Sequence, residues 1–224
     1  MSRMVKIVIA VVVLGLAAFA GIYLLFFNED SPDEFTLTPV DEQAAPADSA
    51  SVAGTWNVAT GSEAGYRVRE KLASLSAQSD AVGRTPDVTG TVVIDDTSVS
   101  KASFEIDLTT LKSDEDRRDN RVQGTLQTDQ FPTATFELTQ PIAVDDHTAA
   151  KASVDAVGDL TIHGVTKSVT IPIDAARNGD NLELVGSITF PMADYGITPP
   201  NVGGFVSVEP NATLEFKLVL ERGA

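Results

Sequence analysis

The chain has 224 residues, 32 of them acidic and 16 basic, and it contains no cysteine. Its formal net charge of −16 argues against nucleic acid as a partner and against electrostatic docking on anionic lipid. The lack of cysteine excludes disulfides, thiol nucleophiles and thiolate metal sites. The two histidines cannot by themselves form a three-histidine metal site. We therefore predict no catalytic residue, no metal site and no required cofactor.

The first predicted element is an uncharged, mostly apolar run from Ile7 to Phe27. As a helix, a run of this length spans about 31 Å, which matches the hydrocarbon core of a bilayer. Arg3 and Lys6 precede it and acidic residues follow it, so we predict a single-pass membrane anchor over residues 1–28 with a cytoplasmic N-terminus. The alternative is a cleaved secretory signal, with a small-x-small site at Ala18-Phe19-Ala20. Both interpretations place the remaining chain outside the cytoplasm.

Residues 29–53 are rich in acidic residues, proline, alanine and serine, and they contain no basic residue. Such a segment buries little surface, and we predict a disordered linker. The linker is expected to hold the next domain near the membrane without fixing its orientation. Phe35 and Leu37 are assigned no structure.

From Gly54 to the end of the chain, at residue 224, the apolar residues alternate with polar ones, which is typical of half-buried strands. Turn signals such as His163-Gly164 and Asn178-Gly179-Asp180 separate these stretches. The clearest predicted strands are Lys101 to Leu108, Val154 to Ile162, Leu182 to Phe190 and Leu214 to Leu220. Weaker alternation predicts further strands at Tyr66–Val68, Val88–Ile94, Ala134–Leu138 and Val169–Ile173.

One polar segment interrupts the strands. Ser113, with Asp116 three residues later, resembles a capping box, and we predict a short helix near Asp114–Gln123 that lies across one end of the sheet. Eight or nine strands with one apolar face each predict an all-β domain over 54–224. A closed antiparallel barrel buries these faces and removes exposed edges. On periodicity alone, a two-sheet sandwich is the alternative.

The predicted inner face mixes phenylalanines with small residues such as Gly90, Ala134 and Gly158. Small inward residues leave space, so we predict an apolar, elongated ligand in the interior. The alternative is that large residues from neighbouring strands fill this space. The predicted ligand-binding residues are Tyr66, Val68, Val92, Ile94, Ala102, Phe104, Ile106, Phe136, Leu138, Ala156, Leu160, Leu184, Gly186, Ile188, Phe190, Phe216 and Leu218.

Two groups of charged residues lie near this face. Arg118 and Arg121 are candidates for contact with a polar or phosphorylated head group at the barrel mouth, and the alternative is a solvated helix face. Arg67 and Arg69 alternate with Tyr66 and Val68, so we predict that they face solvent.

Four segments, in order, are similar to those of the YceI-like family. They are Gly54-Thr55-Trp56, Arg118-Asp119 followed by Gln130 to Phe136, the stretch from Gly158 to Lys167, and Asp194-Tyr195-Gly196-Ile197. The resemblance covers Gly54 to about Glu221. It implies a lipocalin-like antiparallel barrel that holds a long isoprenoid or similar lipid, in a periplasmic or secreted protein. The chain departs from the family pattern at Asn120-Arg121-Val122 and in the short aromatic stretch Gln130-Phe131.

Together, these features predict a membrane-tethered, extracytoplasmic lipid-binding protein of the cell membrane, acting as a carrier or reservoir rather than as an enzyme. Its predicted partners are an apolar lipid and, through the N-terminal helix, the membrane. The alternative is an envelope interaction module that uses the barrel as a rigid scaffold for loops such as Thr198 to Gly204, without lipid cargo. The sequence leaves dimerisation open.

Overall fold

A computed structural model describes residues 31–39, 51–72, 78–144, 151–202 and 206–223. The predicted anchor and residues 40–50 lie outside these ranges. Among the described residues, no helix combines the length and the apolar character needed to cross a bilayer. The described strands are β1 (Gly54–Val58), β2 (Glu63–Leu72), β3 (Gln78–Thr85), β4 (Val88–Ile94), β5 (Ser98–Asp107), β6 (Thr133–Leu138), β7 (Ile142–Ala143), β8 (Lys151–Ile162), β9 (Val165–Asn178), β10 (Asn181–Pro191), β11 (Asn201–Val202) and β12 (Val206–Arg222). The helix α1 spans Asp116–Leu126, and short 3₁₀ turns span Leu108–Thr110 and Met192–Tyr195.

Eight of the described strands form a closed antiparallel ring, in the order β1, β4, β5, β6, β8, β9, β10 and β12. The ring closes because β12 also pairs with β1, with Trp56 opposite Arg222 and Val58 opposite Leu220. The β2–β3 hairpin extends the wall at one end, since β2 pairs with the same edge of β12 as β1 does. The closed barrel predicted from the sequence is thereby confirmed, and the sandwich alternative is wrong.

Alternation along the strands places the apolar side chains inside. In β8, for example, Ala156, Leu160 and Ile162 are buried whereas Asp155 is exposed. The predicted strand Val88–Ile94 coincides with β4, but Leu214 to Leu220 covers only the last part of β12. The earlier part was missed because β12 has an irregularity between Val208 and Ala212, where the alternation breaks. Strand β3 was also missed, because Gln78-Ser79-Asp80 is polar.

The helix begins two residues later than predicted and ends at Leu126. The predicted capping box is wrong. The N-cap residue is Glu115, which makes no side-chain cap hydrogen bond. Instead, the backbone N–H and the hydroxyl of Ser113 donate to Oδ1 of Asp119 at 2.8 Å and 2.7 Å. These bonds tie the start of α1 to the chain that leaves β5.

Residues 31–39 have no regular secondary structure, and they lie against the outer wall of the barrel. We call this segment the strap. The prediction of a disordered linker did not include these contacts between the strap and the barrel. The prediction that Arg67 faces solvent is wrong, because its side chain is only 11% exposed and donates to the carbonyl oxygen of Pro32 at 2.7 Å. Arg69 is half exposed, and its Nε lies 3.0 Å from Oδ1 of Asp80.

Candidate functional site: an apolar interior divided into three cavities

Within the part of the barrel that the structure describes, three apolar cavities lie in a row. The helix-side cavity, of about 130 Å³, lies under α1. The central cavity, of about 40 Å³, shares Ile106, Ala134 and Leu214 with it. The far cavity, of about 150 Å³, shares Phe104, Phe136 and Ile173 with the central one. These shared wall residues place the central cavity between the other two.

Helix α1 closes one side of the helix-side cavity. Val122 and Leu126, four residues apart on one helical face, point into the cavity together with Leu108 and Leu111. The other side is formed by Met192, Ile197 and the start of β12. Apolar cavities of about 150 Å³ stay dry and accept apolar molecules, so both end cavities suit hydrocarbon rather than water.

Three phenylalanines narrow the middle of the interior. Phe104 and Phe136 are directly paired on neighbouring strands, and Phe216 projects from β12. Strands β6 and β12 are separated by three strands in each direction around the ring, so Phe136 and Phe216 approach from opposite walls. All three side chains line the central cavity, which explains its small volume.

The glycines of the inner face do not leave empty space. A Cβ added to Gly186 would lie 2.5 Å from Cζ of Phe216, its partner across β10 and β12. In the same way, Phe104 lies over Gly90 and Phe136 lies over Gly158. At these positions the alternative is correct: large neighbours fill the gaps. The remaining interior volume lies mainly at the two ends of the barrel.

Charged groups gather at the rim of the helix-side cavity. Arg118 donates to Asp114, and its Nη2 lies 3.7 Å from Oε2 of Glu70. Burial raises the pKa of Glu70 in spite of the nearby Arg118. Asp114 and Glu70 thus flank Arg118, whereas Arg121 is exposed at the same rim.

Tyr66 contributes an unusual polar group to this cavity. Its hydroxyl is buried and has no hydrogen-bond partner among the described residues. Burial also raises the pKa of Tyr66, which keeps the hydroxyl protonated as a donor. The ring lies over Gly83 of β3, where an added Cβ would be 2.4 Å from it. An unpaired buried hydroxyl is costly, so a ligand with an acceptor near Tyr66 would remove that cost.

Most of the predicted ligand-binding residues lie on the cavity walls. Tyr66, Val68, Ile106, Phe190, Arg118 and Arg121 line the helix-side cavity. Phe104, Phe136, Leu160, Phe216 and Leu218 line the central one. Val92, Ile94, Ala102, Leu138, Ala156 and Leu184 line the far one. Two predicted residues lie elsewhere: the inner side of Gly186 is filled by Phe216, and Ile188 packs against the core.

Sequence reasoning missed the residues that close the helix-side cavity, including Val122, Leu126, Met192 and Ile197. The spacing of Val122 and Leu126 was a usable signal, since residues four apart share one face of a helix. Met192 and Ile197 belong to irregular chain around a 3₁₀ turn, where no periodicity marks the inward side.

A closed, apolar-lined antiparallel barrel with a helix at one end defines a lipocalin-like domain. The YceI-like domain model matches residues 56–220, and the chain belongs to this family, as its motifs predicted. The His163-Gly164 pair of the family-like segment forms the two-residue turn between β8 and β9. Both residues have positive φ, 53° and 72°, as a type I′ hairpin turn requires.

Curated relatives match about half of the chain. A UPF0312 protein of Vibrio vulnificus strain YJ016 is 28% identical over 120 residues, which are 50% of this chain and 61% of that protein. A UPF0312 protein of Pseudomonas aeruginosa strain LESB58 is 32% identical over 125 residues, 51% of this chain and 62% of that protein. The chain thus spans about three fifths of the length of these relatives.

Two solved structures share the fold. A polyisoprenoid-binding domain from Saccharophagus degradans, implicated in plant cell wall breakdown, superposes with a TM-score of 0.58 at 17% identity, covering 76% of this chain and 99% of that domain. BcnA from Burkholderia cenocepacia gives a TM-score of 0.53 at 20% identity, covering 70% of this chain and 95% of that protein.

Proposed function

We propose that the barrel binds a long isoprenoid or similar apolar chain, and that the protein is a membrane-tethered, extracytoplasmic carrier or reservoir for that lipid. The row of apolar cavities is the observation that carries this proposal. A mainly apolar lining, with the charged groups of the helix-side cavity at its rim, favours a hydrocarbon chain, and a row of cavities favours an elongated one. The polyisoprenoid-binding domain of the same fold supports the ligand class.

The energetics favour several isoprene units over one. A buried methylene-sized group contributes about 0.8 kcal/mol, so a five-carbon unit contributes about 4 kcal/mol. Association costs about 4–15 kcal/mol, so one unit barely offsets that cost whereas several exceed it. A ligand of several units is long enough to extend from one end cavity toward the other, and it would contact the central phenylalanines on the way.

The cellular location is proposed from the sequence. The apolar run from Ile7 to Phe27 supports an N-terminal anchor, and its flanking charges support export of the domain. A tether of this kind keeps the barrel next to its source of lipid. The proposal requires no metal or cofactor and assigns no enzyme activity.

Native mass spectrometry of the full-length chain, isolated gently from membranes, tests the proposal. We expect one bound apolar molecule per barrel, which geranylgeraniol replaces on addition. The variant Ala102→Leu places three more carbons in the far cavity, and it should lose long ligands before short ones. Gly124→Ala is the control, because a Cβ there meets nothing within 4 Å. Repeated recovery of an empty barrel that takes up no geranylgeraniol would contradict the proposal and favour the interaction-module alternative.

A further inference from the structure

The strap begins at the rim of the helix-side cavity. The hydroxyl of Ser31 donates to the carbonyl oxygen of Asp80. Asp80 lies near the start of β3, and its neighbour Ala81 lines the helix-side cavity. The first described residue of the strap is therefore close to the end of the barrel that α1 covers.

The middle of the strap lies across two arginines of the outer wall. Nη2 of Arg67 donates to the carbonyl oxygen of Pro32 at 2.7 Å, and Nη2 of Arg84 donates to that of Asp33 at 2.5 Å. The ring of Phe35 stacks on Arg84, with 3.8 Å from Cζ to the ring centroid. Both guanidinium groups also bind the carboxylate of Glu215, which is only 3% exposed.

The last contacts of the strap lie toward the opposite end. The backbone N–H and the hydroxyl of Thr38 donate to the two carboxylate oxygens of Glu183 at 2.5 Å and 2.8 Å. Nζ of Lys217 donates to the Thr38 hydroxyl at 3.0 Å. Glu183 is 5% exposed, and its neighbours Leu182 and Leu184 line the far cavity. The strap thus runs along the wall from the helix-side rim toward the far end.

This path fixes where the upstream chain leaves the barrel. Only residues 28–30 separate the apolar run, which ends at Phe27, from Ser31. The four intervening Cα–Cα steps span at most about 14 Å when fully extended. A docked strap therefore holds the helix-side rim within a short distance of the end of the predicted anchor, whereas the far end has no such constraint.

We propose that the strap orients the barrel with its helix-side cavity toward the lipid bilayer, so that lipid passes between the membrane and this cavity without crossing bulk water. The inference rests on the proposed membrane-tethered, lipid-binding function. It adds the orientation of the site and identifies the bilayer as the surface that the helix-side rim faces.

Fluorescent labels at the two ends test the orientation. The chain has no native cysteine, so single-cysteine variants can be labelled selectively. Gly124→Cys places the label on exposed α1, and Asp180→Cys places it in the exposed turn between β9 and β10 at the far end. In phosphatidylcholine vesicles that contain nitroxide-labelled lipid, we expect the label at residue 124 to be quenched several-fold more than the label at residue 180. Equal quenching, stronger quenching at residue 180, or no quenching at either position would overturn the proposal.

Changes within the strap test its role without altering the barrel. Phe35→Ala combined with Thr38→Ala removes the stacking on Arg84 and the hydrogen bonds that the Thr38 hydroxyl makes with Glu183 and Lys217. We expect the quenching ratio between the two labels to fall close to one in this double variant. Thr36→Ala, at an exposed position between them, is the matched control and should retain the wild-type ratio. A double variant that also retains the wild-type ratio would show that the strap does not orient the barrel.

Binding of geranylgeraniol, measured on the same proteins by native mass spectrometry, separates this inference from the proposed function. Unequal quenching without geranylgeraniol binding would leave the orientation in place and overturn lipid binding. Binding with equal quenching would leave lipid binding in place and overturn the orientation.

Discussion

Arg84 and Glu215 form an ion pair on the outer wall, with Nη2 of the arginine 2.7 Å from Oε1 of the glutamate. Arg67 binds the other carboxylate oxygen at 3.0 Å. One carboxylate therefore serves two guanidinium groups, and the carbonyl oxygens of Pro32 and Asp33 accept further N–H bonds from them. The strap completes the hydrogen bonding of a charge cluster that it also shields from water.

Glu215→Gln is expected to destabilise the protein by about 3 kcal/mol, because it removes the ion pair of the partly buried Arg84 and leaves Arg67 only its longer pair with Asp80, at 3.5 Å. Urea unfolding monitored by circular dichroism measures the change. Glu209→Gln is the control, since its pair with Lys71 lies on the surface, with side chains 32% and 47% exposed. We expect less than about 1 kcal/mol for that variant. Similar losses in both variants would contradict a special role for Glu215.

The strap is expected to loosen in acid. Although burial opposes it, hydrogen bonds from the Thr38 backbone and hydroxyl and from Lys217 lower the pKa of Glu183 below its ordinary value. The ionised carboxylate therefore contributes stability above the ordinary pKa of glutamate, about 4.3, and this contribution is lost as the pH falls through the lower pKa of the folded state.

NMR hydrogen exchange at the Thr38 amide, corrected for the intrinsic pH dependence, measures this loosening. Protection should fall at acid pH in the wild type and be low at every pH in Glu183→Gln. Full protection of Thr38 at a pH well below the ordinary glutamate range would be inconsistent with the expected loosening.

Tyr66→Phe is expected to act in opposite directions on stability and on binding. The ligand-free protein should be as stable as the wild type or more stable by up to about 1 kcal/mol, since the variant removes a buried hydroxyl without a partner among the described residues. Affinity for geranylgeraniol should fall about tenfold, through loss of one hydrogen bond. Affinity for squalene, which carries no polar group, is the control and should not change. Titration calorimetry measures both, and equal losses for the two ligands would contradict a head-group role.

Alanine substitutions at two glycines should change the stability of the protein in opposite directions. Gly186→Ala places a methyl group 2.5 Å from Cζ of Phe216 and 2.9 Å from the carbonyl oxygen of Pro172, and it should cost about 1–3 kcal/mol. Gly124→Ala, in open space on α1, should stabilise by about 0.5–1 kcal/mol. Thermal unfolding compares the two variants, and a neutral Gly186→Ala would show that the Phe216 ring moves aside freely.

Glu70→Gln should stabilise the protein near neutral pH. Burial raises the pKa of Glu70 even though Arg118 lies nearby, so the charged form is disfavoured in the folded state. A raised pKa in an acid means that stability falls as the pH rises above the ordinary glutamate value, and the glutamine variant avoids this loss. The free energy of unfolding of the variant should therefore exceed that of the wild type at pH 7. At pH 3 the two values should be equal. A destabilised variant at pH 7 would show that the ion pair with Arg118 outweighs burial.

The inner face of the barrel was predictable because period-two alternation assigns residues to one side of a strand directly. Leu160, Leu218 and their neighbours needed no further information. The sequence did not predict which side chains fill the space beside the inward-facing glycines, because a glycine in the alternating pattern does not identify the residue that faces it. The pairing of Gly186 with Phe216 depends on the register between β10 and β12.

The outer wall was harder to predict than the interior. Glu183 and Glu215 alternate with inward-facing apolar residues, a pattern that is typical of solvent-facing positions, yet both are buried. The strap that covers them has the composition of a disordered linker, and its contacts join residues far apart in the chain, such as Thr38 and Glu183. No local pattern encodes such a contact, since it depends on where the folded wall places its charges.

The ring closes by pairing β1 with β12, the first and last strands of the domain. Contacts this distant in sequence carry a large loop-closure cost, and folds dominated by them form slowly. Strand β12 also supplies partners to β2, β10 and β11, so each of these lacks a neighbour until β12 has been synthesised. The barrel therefore cannot close before that point, and until then the apolar faces of its earlier strands need protection from aggregation.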